Sequence, residues 1–457
     1  MTVFDGPTPQ YDELREHIES RLHLVPRFRQ RLAEVPLDQG RPVWVDDPHF
    51  NLRYHLRHAG LPAPGSEEQL KNLAGRVFAQ RLDRTKPLWE LLLVDGLHDD
   101  RFALIAKSHH ALVDGISAVD ITTVLFDDTP GAPPIAPPHA PWAPRPLPTP
   151  AQLLSDALLE RATRPAEAVR GARAVVRAPR QLLRDARDGL QAMGALAFAG
   201  LRPTPATPLN VEVGPHRRYT WVDAELAELR GIKDALGGTV NDAVLAVVAG
   251  ALGRFLRHRG ADTDGLVLTV LVPVSVRAET AQGALGNEVA PMWASLPLGI
   301  EDPVRQHAAI RDAHAELDDE RQAVGARTLT ELAGFASPTI MSQAARLQQR
   351  QRFFHLVVTN VPGPQQPLYL LGRRLRALYP VVPLAGRQAL GVAVMSYDGK
   401  LGFGLLGDYD ALADLDTLAD FLRTSIDALA AGASIPRRAA RGRRSAHAPS
   451  PVAGTTR

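Results

Sequence analysis

His109-His110-Ala111-Leu112-Val113-Asp114-Gly115 is the stretch on which the reading of this chain turns. Phe102 to Ala106, just before it, is an apolar run of strand length. Ile116 to Phe126, just after it, has the spacing of a helix. The paired histidines therefore sit where a strand hands over to a helix. Side chains of α/β proteins often gather into sites at such ends.

The elements on either side extend the same pattern. Tyr11 to Leu32 is predicted as a helix, with Leu14, Ile18, Leu22 and Val25 at helical spacing. Val43 to Val45 is a short strand, and Glu67 to Leu82 a helix with Leu70, Leu73, Val77 and Phe78 on one face. Pro87-Leu88-Trp89 opens a strand over Glu90 to Val94, and Asp95-Gly96 starts a turn. Asp127 to Pro150 is too dense in proline for regular structure and reads as a linker. Leu153 to Leu201 is helical in pattern, with Pro179 expected to kink or split it. Arg170, Arg173, Arg177, Arg180, Arg184 and Arg187 fall 3, 4, 3, 4 and 3 residues apart and form one stripe. The stripe is either a solvated face or a basic surface for anionic membrane.

A second α/β unit begins near Leu209. Strands are expected at Arg218 to Val222, Val267 to Val272 and His355 to Thr359, and helices at Ala224 to Leu236, Val240 to Arg257 and Pro303 to Arg321. Leu390 to Ser396 and Leu401 to Leu406 form a hairpin around Tyr397-Asp398-Gly399-Lys400, and Leu415 to Ala430 closes the unit as a helix. The organisation is thus two α/β halves, 1–127 and 209–432, joined by a connector over 128–208 and followed by a basic tail, 433–457.

Bulk properties narrow the choice of function. The 457 residues suit two domains, and 45% hydrophobic with 22% charged residues is a globular composition. Net charge is +2, yet Pro436 to Arg457 holds six arginines and no acid. The rest carries 46 basic and 50 acidic residues, which does not suggest a nucleic-acid-binding body. With no cysteine there is no disulfide, no thiolate metal ligand and no cysteine nucleophile. Met1-Thr2-Val3-Phe4-Asp5-Gly6-Pro7 has neither the charge nor the apolar run of a signal peptide. Ala243 to Leu252, the longest mostly apolar run, is far below the roughly 20 residues of a bilayer span. A cytoplasmic protein, soluble or peripheral on the inner face of the plasma membrane, is expected.

The histidine run suits one chemistry in particular. A histidine titrates at about 6.5, near working pH, and can take a hydroxyl proton as the oxygen attacks. Acyl transfer from a thioester to an alcohol needs that base, a means of holding it in one tautomer, and a donor for the oxyanion. A thioester is already activated, so no covalent enzyme intermediate is required. The chain has no Gly-x-Ser-x-Gly elbow, since Gly115-Ile116-Ser117 lacks the second glycine. His110 is the candidate base. Asp114, four residues on, either orients His110 or pins the loop through an arginine, and Gly115 lets the backbone turn and present an N–H. The alternatives are two loop histidines without a role, or two metal ligands. A metal is disfavoured, because zinc needs three or four ligands and only Asp114 lies near.

His-His-Ala-Leu-Val-Asp-Gly resembles the HHxxxDG motif of the bacterial wax ester synthase/acyl-CoA:diacylglycerol acyltransferase family. Pro87-Leu88-Trp89-Glu90, Asn241-Asp242-Ala243-Val244-Leu245-Ala246, Pro273-Val274-Ser275-Val276-Arg277, Leu285-Gly286-Asn287 and Asn360-Val361-Pro362-Gly363-Pro364 resemble further family blocks, in the family's order. The resemblance implies an α/β, two-domain, chloramphenicol-acetyltransferase-like fold with a tunnel between the halves. It implies long-chain acyl transfer from acyl-CoA, as substrate and with no cofactor, to diacylglycerol and to long-chain alcohols, at a membrane or lipid-body surface. His110 is then the base, His109 its less essential neighbour, and Asp114 and Gly115 shape the loop. Arg277 is the candidate partner of Asp114, and Asn241 and Asn360 are candidate polar groups near the tunnel. For Asn241 the competing reading is a helix-start residue bonding its own backbone, and for Asn360 simple turn chemistry. The chain also enters part-way along the family's first strand, so a late start or a truncation removing one tunnel wall is expected. A related enzyme with another hydroxylated lipid acceptor, or a non-catalytic lipid-binding member, are the other outcomes.

Overall fold

The computed structural model describes residues 1–113, 125–138, 140–160, 207–275, 289–323, 354–384 and 386–434. Two six-stranded sheets organise them. The first runs, edge to edge, Tyr369–Leu370, Arg373–Leu378, Thr2–Asp5, Arg101–Ser108, Trp89–Leu97 and Leu56–Gly60. The second runs Arg217–Glu225, Lys400–Asp408, Leu390–Tyr397, Leu356–Val361, Val267–Ser275 and Val289–Pro297. A second half unbroken from 209 to 432 is therefore corrected in one respect. The chain leaves its own sheet after Val361, adds residues 369–378 to the first sheet, and returns at Leu390.

Period-two alternation decides which face of the second sheet is covered. Val222 and Ala224, Leu268, Val270 and Val272, and Leu401, Phe403 and Leu405 all join one core. The helices Leu226–Leu236, Val240–His258 and Leu415–Gly432 supply the other side of that core. Tyr219, Trp221 and Leu406, of the opposite parity, instead meet Leu70, Ala74, Val94 and Ile105 of the first half. The halves thus share a buried apolar seam.

The strand exchange closes that seam. Leaving Arg373–Leu378, the chain crosses the strand Lys400–Asp408 at backbone contact. A Cβ at Gly402 would lie 2.1 Å from the Leu378 carbonyl oxygen, and one at Gly404 would lie 1.9 Å from that of Pro380. Only glycine allows this approach. Tyr379, just past the exchanged strand, stacks on Trp221 with ring centroids 4.9 Å apart and donates its hydroxyl to Asp223 at 3.1 Å.

Several elements differ from the sequence expectation. The helix from Tyr11 stops at Arg21, because Pro26 lacks an amide donor and restricts Val25 before it. Short 3-10 turns follow, then the strand Gln30–Ala33, although Leu14, Ile18, Leu22 and Val25 are all buried as the periodicity implied. The turn expected over Asp95-Gly96 and the polar residues after it lies at its later end. The strand continues to Leu97 through a register shift at Gly96, whose φ is 76°, and turns at Asp99 and Asp100. The Asp398-Gly399 hairpin is as expected, with φ of 46° and 77° and Tyr397 paired to Lys400.

The proline-rich connector lies against the first half. Asp127 bridges Tyr369 and pairs with Arg21 at 2.6 Å, and Trp142 packs edge-on to Phe50. Arg145 donates to Asp46 through its amide at 2.9 Å and its Nε at 3.2 Å. The Arg145 hydrogen bonds hold the Asp46 carboxyl down at about 2, below its ordinary 3.8. A depressed carboxylate stabilises above its unfolded pKa, so this tether is intact above pH 3.8 and is lost as pH falls toward 2. The arginine stripe Arg170 to Arg187 falls outside the described residues.

Two outcomes are expected. Gly404→Val forces apart the exchanged segment and lowers stability by about 1–3 kcal/mol or more. Gly131→Ala, with nothing within 4 Å of its Cβ, leaves the urea midpoint unchanged. Equal midpoints for both variants would remove the crossing from its structural role. Asp46→Asn should also speed chymotrypsin cleavage after Trp142 at neutral pH, and an unaltered cleavage rate would contradict the tether.

Candidate active site

The paired histidines owe their position to the end of a ladder. Trp89 faces Ser108 across the antiparallel strands Trp89–Leu97 and Arg101–Ser108. One residue further, the His109 N–H donates to the Leu88 carbonyl at 3.0 Å. Trp89 is anchored on every side. Its Nε1–H donates to the Phe28 carbonyl at 2.8 Å, and His55 stacks on its indole at 4.6 Å. His55 donates Nδ1–H to the Trp89 carbonyl at 2.7 Å and lies against Phe50 on its other face. Burial pushes the His55 ring below its ordinary pKa, which keeps it a neutral packing piece. Pro87-Leu88-Trp89 thus acts through packing that fixes where the chain leaves the sheet.

The chain then turns into the short helix His110–Val113. The Leu112 N–H donates to the His109 carbonyl at 2.9 Å, and Leu112 is buried in the core that holds Trp89. His109 Nδ1 accepts from the Ala111 N–H at 3.1 Å, as a helix-capping side chain does. That bond places the ring proton on Nε2. His109 is therefore committed to shaping the turn, and His110 is the first residue of the helix. Asp114, Gly115 and Arg277 lie outside the described residues, and with them the expected Asp114–Arg277 pair. Beside Ser108 lies a small recess, with Ile18, Leu22, Phe28, Trp89 and Leu125 on one side and Glu90 and Lys107 at its edge. Sequence reading had not singled it out.

The second half brings together two of the expected residues. Asn241 is the second residue of the helix Val240–His258, and Asn360 lies near the end of the strand Leu356–Val361. Asn360 Nδ2 donates to Asn241 Oδ1 at 3.4 Å. Asn241 has no need to cap its own helix, because Thr239 does so. Thr239 Oγ1 accepts from the Asp242 N–H at 3.1 Å, and Asp242 accepts from the Thr239 N–H at 2.7 Å. The strand carrying Asn360 pairs in parallel with Val267–Ser275, with Val357 opposite Leu271. The Pro273-Val274-Ser275 block therefore ends beside Asn360.

Two further residues hold this corner. Arg311, on the helix Pro303–Ala323, donates to the Leu236 carbonyl at 2.8 Å. His314, one turn on, donates Nδ1–H to Asp242 Oδ1, and its Nε2 faces the Met292 sulfur at 3.1 Å. Burial pushes the Asp242 carboxyl upward, but hydrogen bonds from His314 and Thr239 outweigh it and the net shift is downward. The 72-residue separation of Asp242 and His314 hid their pairing from the sequence. Among the described residues no group of three or more His, Asp or Glu is placed to hold a metal ion.

This arrangement has known counterparts. Residues 2–244 match the wax ester synthase/diacylglycerol acyltransferase catalytic domain, and residues 285–430 match the WS/DGAT C-terminal domain. The chain belongs to the wax ester synthase/diacylglycerol acyltransferase family. It is an acyltransferase. A Mycobacterium tuberculosis protein named probable diacylglycerol O-acyltransferase is 34% identical over 439 residues, 94% of this chain and 90% of its own length. The wax ester synthase/diacylglycerol acyltransferase of Marinobacter aquaeolei VT8 superposes with a TM-score of 0.63 at 27% identity, covering 95% of this chain and 94% of that one. The starter condensation domain of rhizomide synthetase shares the fold at a TM-score of 0.52 and 15% identity, covering 95% and 88%.

Trp89→Ala empties the anchor of the ladder end and is expected to lower stability by about 3–5 kcal/mol. Trp89→Phe should recover part of it. Urea unfolding followed by circular dichroism checks this, and a parent-like midpoint for Trp89→Ala would contradict the anchor.

Proposed function

We propose that the chain transfers a long-chain acyl group from acyl-CoA to diacylglycerol, forming triacylglycerol, and also acylates long-chain alcohols to wax esters. The observation that carries this reading is the position of His110 in the family's histidine run, at the point where the Leu88–His109 bond ends the ladder. His110 accepts the proton of the acceptor hydroxyl as that oxygen attacks the thioester carbonyl. A C–O bond forms, the tetrahedral intermediate collapses, and the C–S bond breaks. The departing thiolate takes the proton back from His110, so acid and base balance over the cycle. A chain with no cysteine supplies no thiol nucleophile, which agrees with direct transfer.

Asp114 serves in this reading as the pin of the loop through Arg277, Gly115 as its flexible point, and Asn241 with Asn360 as the polar edge of the site. Acyl-CoA is a substrate, and no cofactor takes part. The insoluble acceptor implies a peripheral position on the cytoplasmic face of the membrane or on lipid bodies. Among the described residues no single helix is long and apolar enough to cross a bilayer. The arginines from Arg170 to Arg187 provide attraction to anionic lipid.

Purified protein given palmitoyl-CoA with diolein, and separately with hexadecanol, should yield triacylglycerol and wax ester on thin-layer chromatography. His110→Ala should lower turnover by about 10²- to 10⁴-fold. Near-parental activity of that variant would refute His110 as base, and product only from another hydroxylated lipid would refute the acceptor. Arg173, Arg177, Arg180 and Arg184 changed together to Glu should abolish binding to phosphatidylserine vesicles. Retained binding would sink the docking role.

A further inference from the structure

The turn between the helices Leu226–Leu236 and Val240–His258 bends the chain by 100° through Gly237 and Gly238, at φ of 78° and 82°. Two glycines in succession give a backbone with little conformational preference of its own. Yet this turn carries Asn241, whose place opposite Asn360 demands a defined geometry. The constraint comes from a third helix. Arg311 reaches the last carbonyl of the first helix, Leu236, at 2.8 Å, a group that lacks a partner within its own helix. His314, three residues on and on the same face, holds Asp242 in the first turn of the second helix.

We propose that Arg311 and His314 are positioning residues for acyl transfer, clamping both sides of the Gly237-Gly238 turn so that Asn241 is presented to Asn360. The proposal rests on Asn241 being part of the site. The Asp242 carboxylate is divided between two tasks. Oδ2 accepts from the Thr239 N–H and hydroxyl at 2.7 and 2.8 Å, which fixes the helix start. Oδ1 accepts from His314, which fixes the start relative to the third helix. Without His314 the buried carboxylate loses one partner and keeps only its Thr239 contacts, which loosens the hold on the Asn241 side of the turn. Asn241 is the neighbour of Asp242, and its bond to Asn360 is already long at 3.4 Å. A small rotation therefore breaks it. A shift of about 1 Å in a positioning group is enough to cost up to about 10²-fold in rate.

The geometry separates three replacements of His314. Asn carries a nitrogen on Cγ, where the His314 Nδ1 sits, and can still donate to Asp242. Gln carries its nitrogen one atom further out, and Leu carries none. His314→Leu and His314→Gln should lower kcat by about 10- to 100-fold with little change in KM for palmitoyl-CoA. His314→Asn should recover most of the loss, and Arg311→Gln should lower kcat in the same way while the protein stays folded by circular dichroism. Asn241→Ala provides the reference. The double variant Asn241→Ala/His314→Leu should be no slower than Asn241→Ala alone, because the clamp acts through Asn241. Losses that multiply in the double variant, or equal activity of the Asn and Leu replacements, would overturn the clamp while leaving Asn241 in the site. Full activity of Asn241→Ala would instead overturn the reading of Asn241 on which the clamp depends.

Discussion

One backbone hydrogen bond, from the His109 amide to the Leu88 carbonyl, sets where this chain leaves its first sheet. Up to that bond, Trp89–Leu97 and Arg101–Ser108 run as an antiparallel ladder with each residue's position dictated by the pleat. Beyond it the chain turns into a four-residue helix. A bond at the end of a ladder frays unless something holds it. Here Trp89 is held by Phe28 through its indole N–H and by His55 through both stacking and a carbonyl bond. The Pro87-Leu88-Trp89 block is therefore the far half of the histidine motif, brought alongside it by strand pairing.

The second constraint is that the first half is not complete by itself. The first sheet takes two strands from residues 369–378, deep in the second half of the sequence. Tyr379 then bonds Asp223 and stacks on Trp221, both on the edge strand of the second sheet. A buried seam of this kind resists the hinge motion expected of domains joined only by a linker. It also fixes the two polar corners, the histidine turn and the Asn241–Asn360 pair, within one packed body. The long connector over 128–208 adds contacts through Trp142 and Arg145 to the first half, so it too is partly built into the structure.

The sequence disclosed periodic elements well and non-local ones poorly. The helix Val240–His258 and the hairpin at Asp398-Gly399 were legible because apolar spacing and an Asp-Gly turn are local signals. The strand Arg373–Leu378 was not seen, since Arg-Arg-Leu-Arg-Ala-Leu shows weak alternation and its assignment depends on Thr2–Asp5, hundreds of residues away. The overlong helix from Tyr11 failed for a different reason. Its apolar positions are buried as expected, but Pro26 changes the backbone without disturbing the pattern. In the site, the residue types and the order of blocks were readable. The pairing of Asp242 with His314 was not, because nothing local couples two residues 72 apart.

Magnitudes explain why so much of the chain serves placement. A general base contributes about 10²- to 10⁴-fold, or roughly 3–5 kcal/mol of barrier. A thioester already favours transfer to an alcohol, so the chemistry asks little more of the protein than that proton transfer and a donor for the oxyanion. Orientation of two bound substrates can contribute about 7–11 kcal/mol, provided the reacting groups are held near contact. The larger share therefore depends on geometry. That is consistent with a fold whose notable devices, the anchored ladder end, the exchanged strands and the clamped glycine turn, are all devices for holding position. In the proposed mechanism His110 is the residue whose loss would be most visible in an assay, but the rate it would serve is set largely by residues that never meet the proton.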